Sequence, residues 1–193
     1  MARTRQVDIT EIAVVGELTD REAELTEKLL EIPPKGECVL YIDSPGGSCY
    51  TGLALMNLIR LRGIRATGIV TGECSSAALC LLAACERRLV TPLSILLFHP
   101  IKWQSEEHVL FSEAKEWARH FGDLETEMDN ILAELFEVAK KQLRRWQRPG
   151  KYLTGSDLAD AGVAELIDID LLEFFRAPVK KGTRKRARSK SGR

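Results

Sequence analysis

Cys38-Val-Leu-Tyr-Ile-Asp-Ser-Pro-Gly-Gly-Ser48 is a buried strand that stops at a pair of glycines. Adjacent glycines let a backbone turn sharply and leave amide N–H groups uncovered by side chains. The stretch from Leu53 to Leu61 follows with helical spacing, its apolar positions being Leu53, Leu55, Met56, Ile59 and Leu61. The same alternation extends outward on both sides. Ile12 to Val15 reads as a strand, and a helix capped by Thr19 runs to about Ile32, where Pro33-Pro34 stop it. Beyond the glycines come a strand at Ala66–Val70, an apolar helix at Ser76–Cys85, and short strands at Arg88–Thr91 and Ser94–Phe98. Strands alternating with helices predict an α/β fold with a largely parallel sheet. From Ser105 to about Arg148 the pattern becomes one long charged amphipathic helix, interrupted near Gly122 and ended by Pro149-Gly150. A short helix at Asp157–Gly162 and the segment Val163–Leu172 complete the folded part.

The chain has 193 residues, enough for one domain with tails. A domain of that size buries about 70% of its unfolded surface and needs no disulfide or metal to fold. The boundaries follow from composition: a flexible segment at 1–10, one α/β domain at 11–176, and a basic, disordered tail at 177–193. Eight of the 28 basic side chains lie in 180–193, which holds no acidic one. The body is therefore acidic by about eight charges, the wrong sign for a nucleic-acid-binding domain; only the tail suits polyanions. Five cysteines (Cys38, Cys49, Cys74, Cys80, Cys85) form no CxxC pair, which points to a reducing compartment and thiols used as small hydrophobes. No metal or other cofactor is expected from the scattered histidines. No signal peptide or membrane-spanning run is read in the sequence, so the expected location is cytoplasmic.

Three segments could carry chemistry. The amides of the Gly46-Gly47 turn suit an anion or a developing oxyanion, or serve only as a tight turn. Ser76, at the start of an apolar helix, suits a nucleophile or an ordinary N-cap. His99, leaving a buried strand, suits a general base or a structural role. His108 and His120, on the charged helix, read as solvated, and Trp103, Trp117 and Trp146 as packing or interface. In chain order the three segments supply oxyanion donors, nucleophile and base, the set that acyl transfer needs.

Here the chain resembles ClpP, the proteolytic subunit of the ATP-dependent Clp protease. Tyr41-Ile-Asp-Ser-Pro-Gly-Gly-Ser48, Gly72-Glu-Cys-Ser-Ser-Ala-Ala78, and Pro92 through Phe98-His99-Pro100 are similar to three family motifs in the same order. The family shows Tyr-Ile-Asn-Ser-Pro-Gly-Gly, then Gly-x-Ala-Ala-Ser-Met, then a proline seven residues before His-Gln-Pro. The likeness extends more weakly from Ile12 to about Leu172. It implies the ClpP/crotonase fold of repeated ββα units, with the 105–148 helix as a protruding handle. It also implies Ser76 as nucleophile, His99 as base, and backbone N–H groups of Gly47 or Gly46, with that of Ala77, as oxyanion hole. Ser75 falls where the family has a small alanine. A ring-forming homo-oligomer of two stacked heptamers, an AAA+ unfoldase partner and polypeptide substrates follow from the same resemblance.

The departures are specific. The family's triad aspartate lies two residues before the aromatic of the closing segment; here that aromatic is Tyr152, and the slot holds Gly150. Asp157 and Asp168 stand nearby, outside the triad position. Loss of the orienting acid costs up to about 10⁴ in rate. The loop before His99 is two residues shorter, and Lys102-Trp103-Gln-Ser-Glu-Glu107 replaces a glycine-rich stretch. Two alternatives stand beside a serine endopeptidase. One is a weakly active or inactive structural subunit in a mixed ring. The other is a crotonase-type acyl-CoA enzyme, for which Glu73 is the acid beside the glycine-rich loops.

Overall fold

The computed structural model describes residues 9–104 and 108–167. Residues 1–8, 105–107 and 168–193, and with them Asp168, the end of the Val163–Leu172 segment and the basic tail, lie outside the described residues. β1 (Thr10–Val15), β2 (Glu37–Ser44) and β3 (Arg65–Cys74) are parallel neighbours, linked by α1 (Leu18–Glu31) and α2 (Cys49–Leu61). α3 (Ala78–Ala84) leads to β4 (Arg87–Val90), which adds to β3, and β7 (Glu165–Leu166) adds to β4. The main sheet therefore runs β1-β2-β3-β4-β7, all parallel. β5 (Ile95–Phe98) meets the far end of β3 through Glu73 and Ile95, and pairs antiparallel with β6 (Lys151–Thr154). α4 (Phe111–Leu135), α5 (Lys140–Gln147) and α6 (Gly155–Asp160) complete the order.

The alternating strand pattern does what side-chain alternation dictates. In β2, Cys38, Leu40, Ile42 and Ser44 are buried while Glu37 and Asp43 are exposed. They share one core with the buried positions of α1 and α2, among them Leu25, Leu29, Leu55 and Ile59. Every residue of α3 is buried, so this short apolar helix is the centre of the core. Nearly all its surface comes from Ala, Leu and Cys, which bury without leaving a polar group to satisfy.

Four element boundaries differ from the sequence reading. Thr19 is not the cap of α1: Glu17 holds that position without a side-chain bond, and the Thr19 hydroxyl is used elsewhere. β3 runs on through Gly72, Glu73 and Cys74, because Ser44 and Cys74 still pair after a register shift beyond Ile42. The apolar helix accordingly starts at Ala78, and Ser76 lies ahead of it. The long helix is continuous through Gly122, where a side chain would meet nothing within 4 Å. It breaks instead at Phe136–Ala139, where Glu137 adopts φ +57. That turn buries Phe136 against Phe98, with ring centroids 6.1 Å apart, and brings α5 back onto the sheet. β6, next to Gly150, has no counterpart among the expected strands.

Candidate active site

Three loop segments converge at the carboxyl ends of β1, β2 and β3. Ser44 is fully buried; its Oγ donates to Gly16 O (2.6 Å) and accepts from Gly46 N (3.2 Å). Leu18 N donates to Gly46 O (2.7 Å), and Ser48 N donates to Thr19 Oγ1 (2.8 Å). The glycine pair is required by both conformation and space. Gly46 has φ +101, and a Cβ there would lie 2.6 Å from Ser75 O and 2.8 Å from Ser76 Cβ. Gly47 has φ +146, and its Cβ would lie 2.6 Å from Thr19 Oγ1.

The neighbouring serines are physically distinct. Ser75 is buried, with 1% of its surface exposed. Its N–H donates to Ser44 O (3.0 Å), its hydroxyl donates to Glu73 Oε1 (2.6 Å), and the same oxygen accepts from Leu97 N (3.2 Å). Ser76 is half-buried and lines the cleft described below. Its N–H donates to Leu97 O (2.9 Å), while its Oγ has no hydrogen-bond partner among the described residues. Its φ of +55 is uncommon for a side chain with Cβ, the kind of backbone strain that clusters at functional sites. The next amide, Ala77 N, and that of Gly47 also lack a partner among the described bonds, whereas Gly46 N is committed to Ser44.

His99 leaves β5 directly after the buried Phe98, whose ring packs against Trp146 at 5.2 Å. Its Nδ1 lies 2.6 Å from Pro100 O. Gly150 runs beside it: a Cβ on Gly150 would stand 3.4 Å from His99 Cβ. The position read as the lost acid thus borders the histidine, with φ +132 that favours glycine. Asp157 is occupied in capping α6, where its Oδ2 accepts from the N–H and the hydroxyl of Thr154, both at 2.8 Å. Those bonds hold its carboxyl below the usual range.

Ser76, His99, Gly47 and Ala77 line one cleft of about 350 Å³. Leu79, Cys80, Met128 and Leu132 form an apolar floor. Trp103 closes one wall, stacked on Phe121 with centroids 5.9 Å apart and planes 12° from parallel, and edge-on to Trp117. Tyr50 also lines the cleft and shares a 2.7 Å hydrogen bond with Nε2 of the exposed His120. Arg148 pairs with Glu125, a residue that lines the cleft, and with Asp129 Oδ2 (3.1 Å). Asp129 is 2% exposed, and burial pushes its carboxyl above the usual value against the pull of Arg148. Burial pushes the Cys38 thiol up to about 11 and those of Cys80 and Cys85 up to about 12. Among the described residues, no three His, Cys, Asp or Glu side chains cluster to hold a metal ion, and no helix is long and apolar enough to cross a membrane.

The sequence reading brought Gly46, Gly47, Ser76, Ala77 and His99 forward, and the fold gathers them. It missed the locking roles of Ser44, Glu73 and Ser75, the Pro100 carbonyl, and Trp103 as a wall of the cleft. A buried serine two residues before a glycine pair was the one visible signal for Ser44. The others depend on contacts between distant segments.

Two comparisons bear on this arrangement. Residues 3–168 match the sequence model of the family described as Clp protease. A 141-residue stretch is 25% identical to the ATP-dependent Clp protease proteolytic subunit 1 of Mycolicibacterium paratuberculosis, covering 72% of this chain and 67% of that protein.

Proposed function

This chain belongs to the Clp protease family, and from that premise we propose that it is a serine endopeptidase subunit with Ser76 as nucleophile and His99 as general base. The observation that carries the reading is the meeting on one cleft of Ser76, His99 and the amides of Gly47 and Ala77, which have no partner among the described residues. In the first step Nε2 of His99 takes the Ser76 proton as Oγ attacks the peptide carbonyl. Charge develops on the carbonyl oxygen, and the amides of Gly47 and Ala77 are the donors for it. Gly46, whose N–H is held by Ser44, contributes by its shape: it lets the two loops close to van der Waals contact. The protonated imidazole then gives its proton to the leaving amine, and water releases the acyl group by the same sequence in reverse. The apolar floor suits an apolar side chain of the polypeptide next to the cut bond.

Residues 11–176 form the peptidase domain in this reading, and 177–193 a basic extension. The exposed Leu110 (68%) and Phe111 (86%) at the start of α4 suit a subunit contact in a ring-shaped chamber. An AAA+ unfoldase supplies the substrate, and the cytoplasm is the expected location. Gly150 supports a second reading, a weakly active subunit in a mixed ring, because no carboxylate borders His99 at that position. The acyl-CoA reading loses support: Glu73 is bonded to Ser75 and is not among the residues lining the cleft.

The test is labelling with a fluorophosphonate, read by intact mass, on wild type, Ser75→Ala and Ser76→Ala. Label lost only in Ser76→Ala is expected. No label on an assembled oligomer establishes the structural subunit in its place. Label lost only in Ser75→Ala overturns the choice of nucleophile.

A further inference from the structure

A histidine that serves as base through Nε2 must carry its neutral-state proton on Nδ1, and a free imidazole in water prefers the opposite tautomer. Something must therefore hold the Nδ1 proton. Among the described residues, Asp157 is engaged by Thr154, Glu73 by Ser75, and Glu125 and Oδ2 of Asp129 by Arg148, while the other Asp129 oxygen is buried without a partner. At the family's aspartate position stands Gly150. The group that does meet Nδ1 is Pro100 O, at 2.6 Å. A carbonyl oxygen has no proton to give, so in this contact Nδ1 must be the donor. Proline suits this role, because its ring fixes φ of residue 100 and narrows the freedom of the carbonyl that follows.

We propose that the Pro100 carbonyl is the positioning group of this site, fixing His99 in the Nδ1–H tautomer and leaving Nε2 bare for Ser76. This rests on the serine-peptidase reading and deepens it. A backbone carbonyl orients the ring as a carboxylate does, but brings no negative charge to stabilise the imidazolium formed during attack. The chain then retains an oriented base and gives up the counter-charge, which accounts for Ser76 and His99 being present together beside Gly150.

The experiment uses the full chain labelled with ¹⁵N histidine. A long-range ¹H–¹⁵N correlation is recorded with the rings neutral, and His99 is assigned by its loss in His99→Gln. The proton is expected on Nδ1; a proton on Nε2, or an even mixture, overturns the proposal. A second variant replaces the Pro100–Ile101 amide by an ester, through an α-hydroxy acid at position 101. An ester carbonyl is a weaker acceptor, every side chain is retained, and the Ile101 N–H that is lost has no partner among the described bonds. The expected result is about a tenfold fall in the rate of Ser76 acylation by the fluorophosphonate, the scale of one weakened hydrogen bond, with the tautomer moving toward Nε2–H. An unchanged rate and tautomer overturn the role of Pro100. Acylation that is as fast in His99→Gln as in wild type brings down the peptidase reading itself. Acylation that needs His99 while the proton sits on Nε2 brings down the carbonyl role alone.

Discussion

The serine side of the cleft is closed by crossed hydrogen bonds, whereas the histidine side rests on packing. On the serine side, Gly16–Thr19 and Ser44–Ser48 tie each other through the side chains of Ser44 and Thr19, Ser75 N–H donates to Ser44 O, and the Ser75 hydroxyl accepts from Leu97 N of β5. On the histidine side, His99 has one polar contact, and its place follows from Phe98 beneath it, sealed by Phe136 and Trp146. A network of small bonds loses a member at modest cost, while a single packed anchor does not. The two sides should therefore fail differently.

The largest effect is expected on the packed side. Phe98→Ala removes a fully buried ring between two aromatic neighbours. Substitutions of this kind cost about 3–5 kcal/mol. Urea unfolding should record a loss in that range, and a loss under about 1 kcal/mol would break the contrast between the two sides.

The next effect tests whether the serine side is fixed by backbone shape. Gly46→Ala places a methyl group 2.6 Å from Ser75 O and 2.9 Å from Ala77 N, at φ +101. The backbone strain costs about 1–3 kcal/mol. The two loops must part, and a displacement of about 1 Å at the reacting groups costs about 10²-fold in rate. Ser76 acylation should slow by at least that factor; wild-type kinetics in a folded variant would show that the loop contact does not set the site.

These two positions also mark what could be read beforehand. Gly46 was visible because a glycine pair at a strand end has a local cause, the turn itself. The same holds for α1 to α3 and β1 to β5, whose apolar periodicity is written within each segment. What stayed hidden is set by partners far along the chain. β3 continues to Cys74 because Ser44 pairs with it, thirty residues earlier. The long helix breaks at Glu137 rather than Gly122 because Phe136 must reach Phe98. Thr19 caps nothing because Ser48 N–H claims its oxygen. Of the site itself, the residues proposed as nucleophile, base and oxyanion loop were legible from three ordered motifs, while the proposed support of the base was not, since a backbone carbonyl leaves no mark in side-chain pattern.

Ser75→Ala sharpens the comparison within the serine side. It strands the Leu97 N–H and frees the half-buried Glu73 carboxylate. One unsatisfied buried group costs about 1–3 kcal/mol, less than Phe98→Ala and without a change of backbone shape. Urea unfolding should show that loss while the fluorophosphonate still labels Ser76. Loss of the label in a folded protein would mean that this single bond, and not the network, holds the nucleophile.

The smallest effect belongs to Thr19. Its hydroxyl accepts from Ser48 N at 2.8 Å, on the rim where the first turn of α1 meets the glycine loop. Thr19→Val keeps the shape and removes the acceptor. A typical hydrogen bond contributes about 0.5–1.5 kcal/mol. This one is exposed, so water replaces the lost acceptor and the cost sits at the low end. Thr19→Ser keeps the oxygen and should match wild type in urea. The Gly47 amide lies one residue before Ser48, so the same variant reads how stiff the proposed oxyanion loop is. A network of redundant ties predicts less than a threefold change in Ser76 acylation for Thr19→Val. A tenfold or larger fall, reversed in Thr19→Ser, would show that the serine side hangs on one bond as the histidine side does, and the contrast between them would be gone.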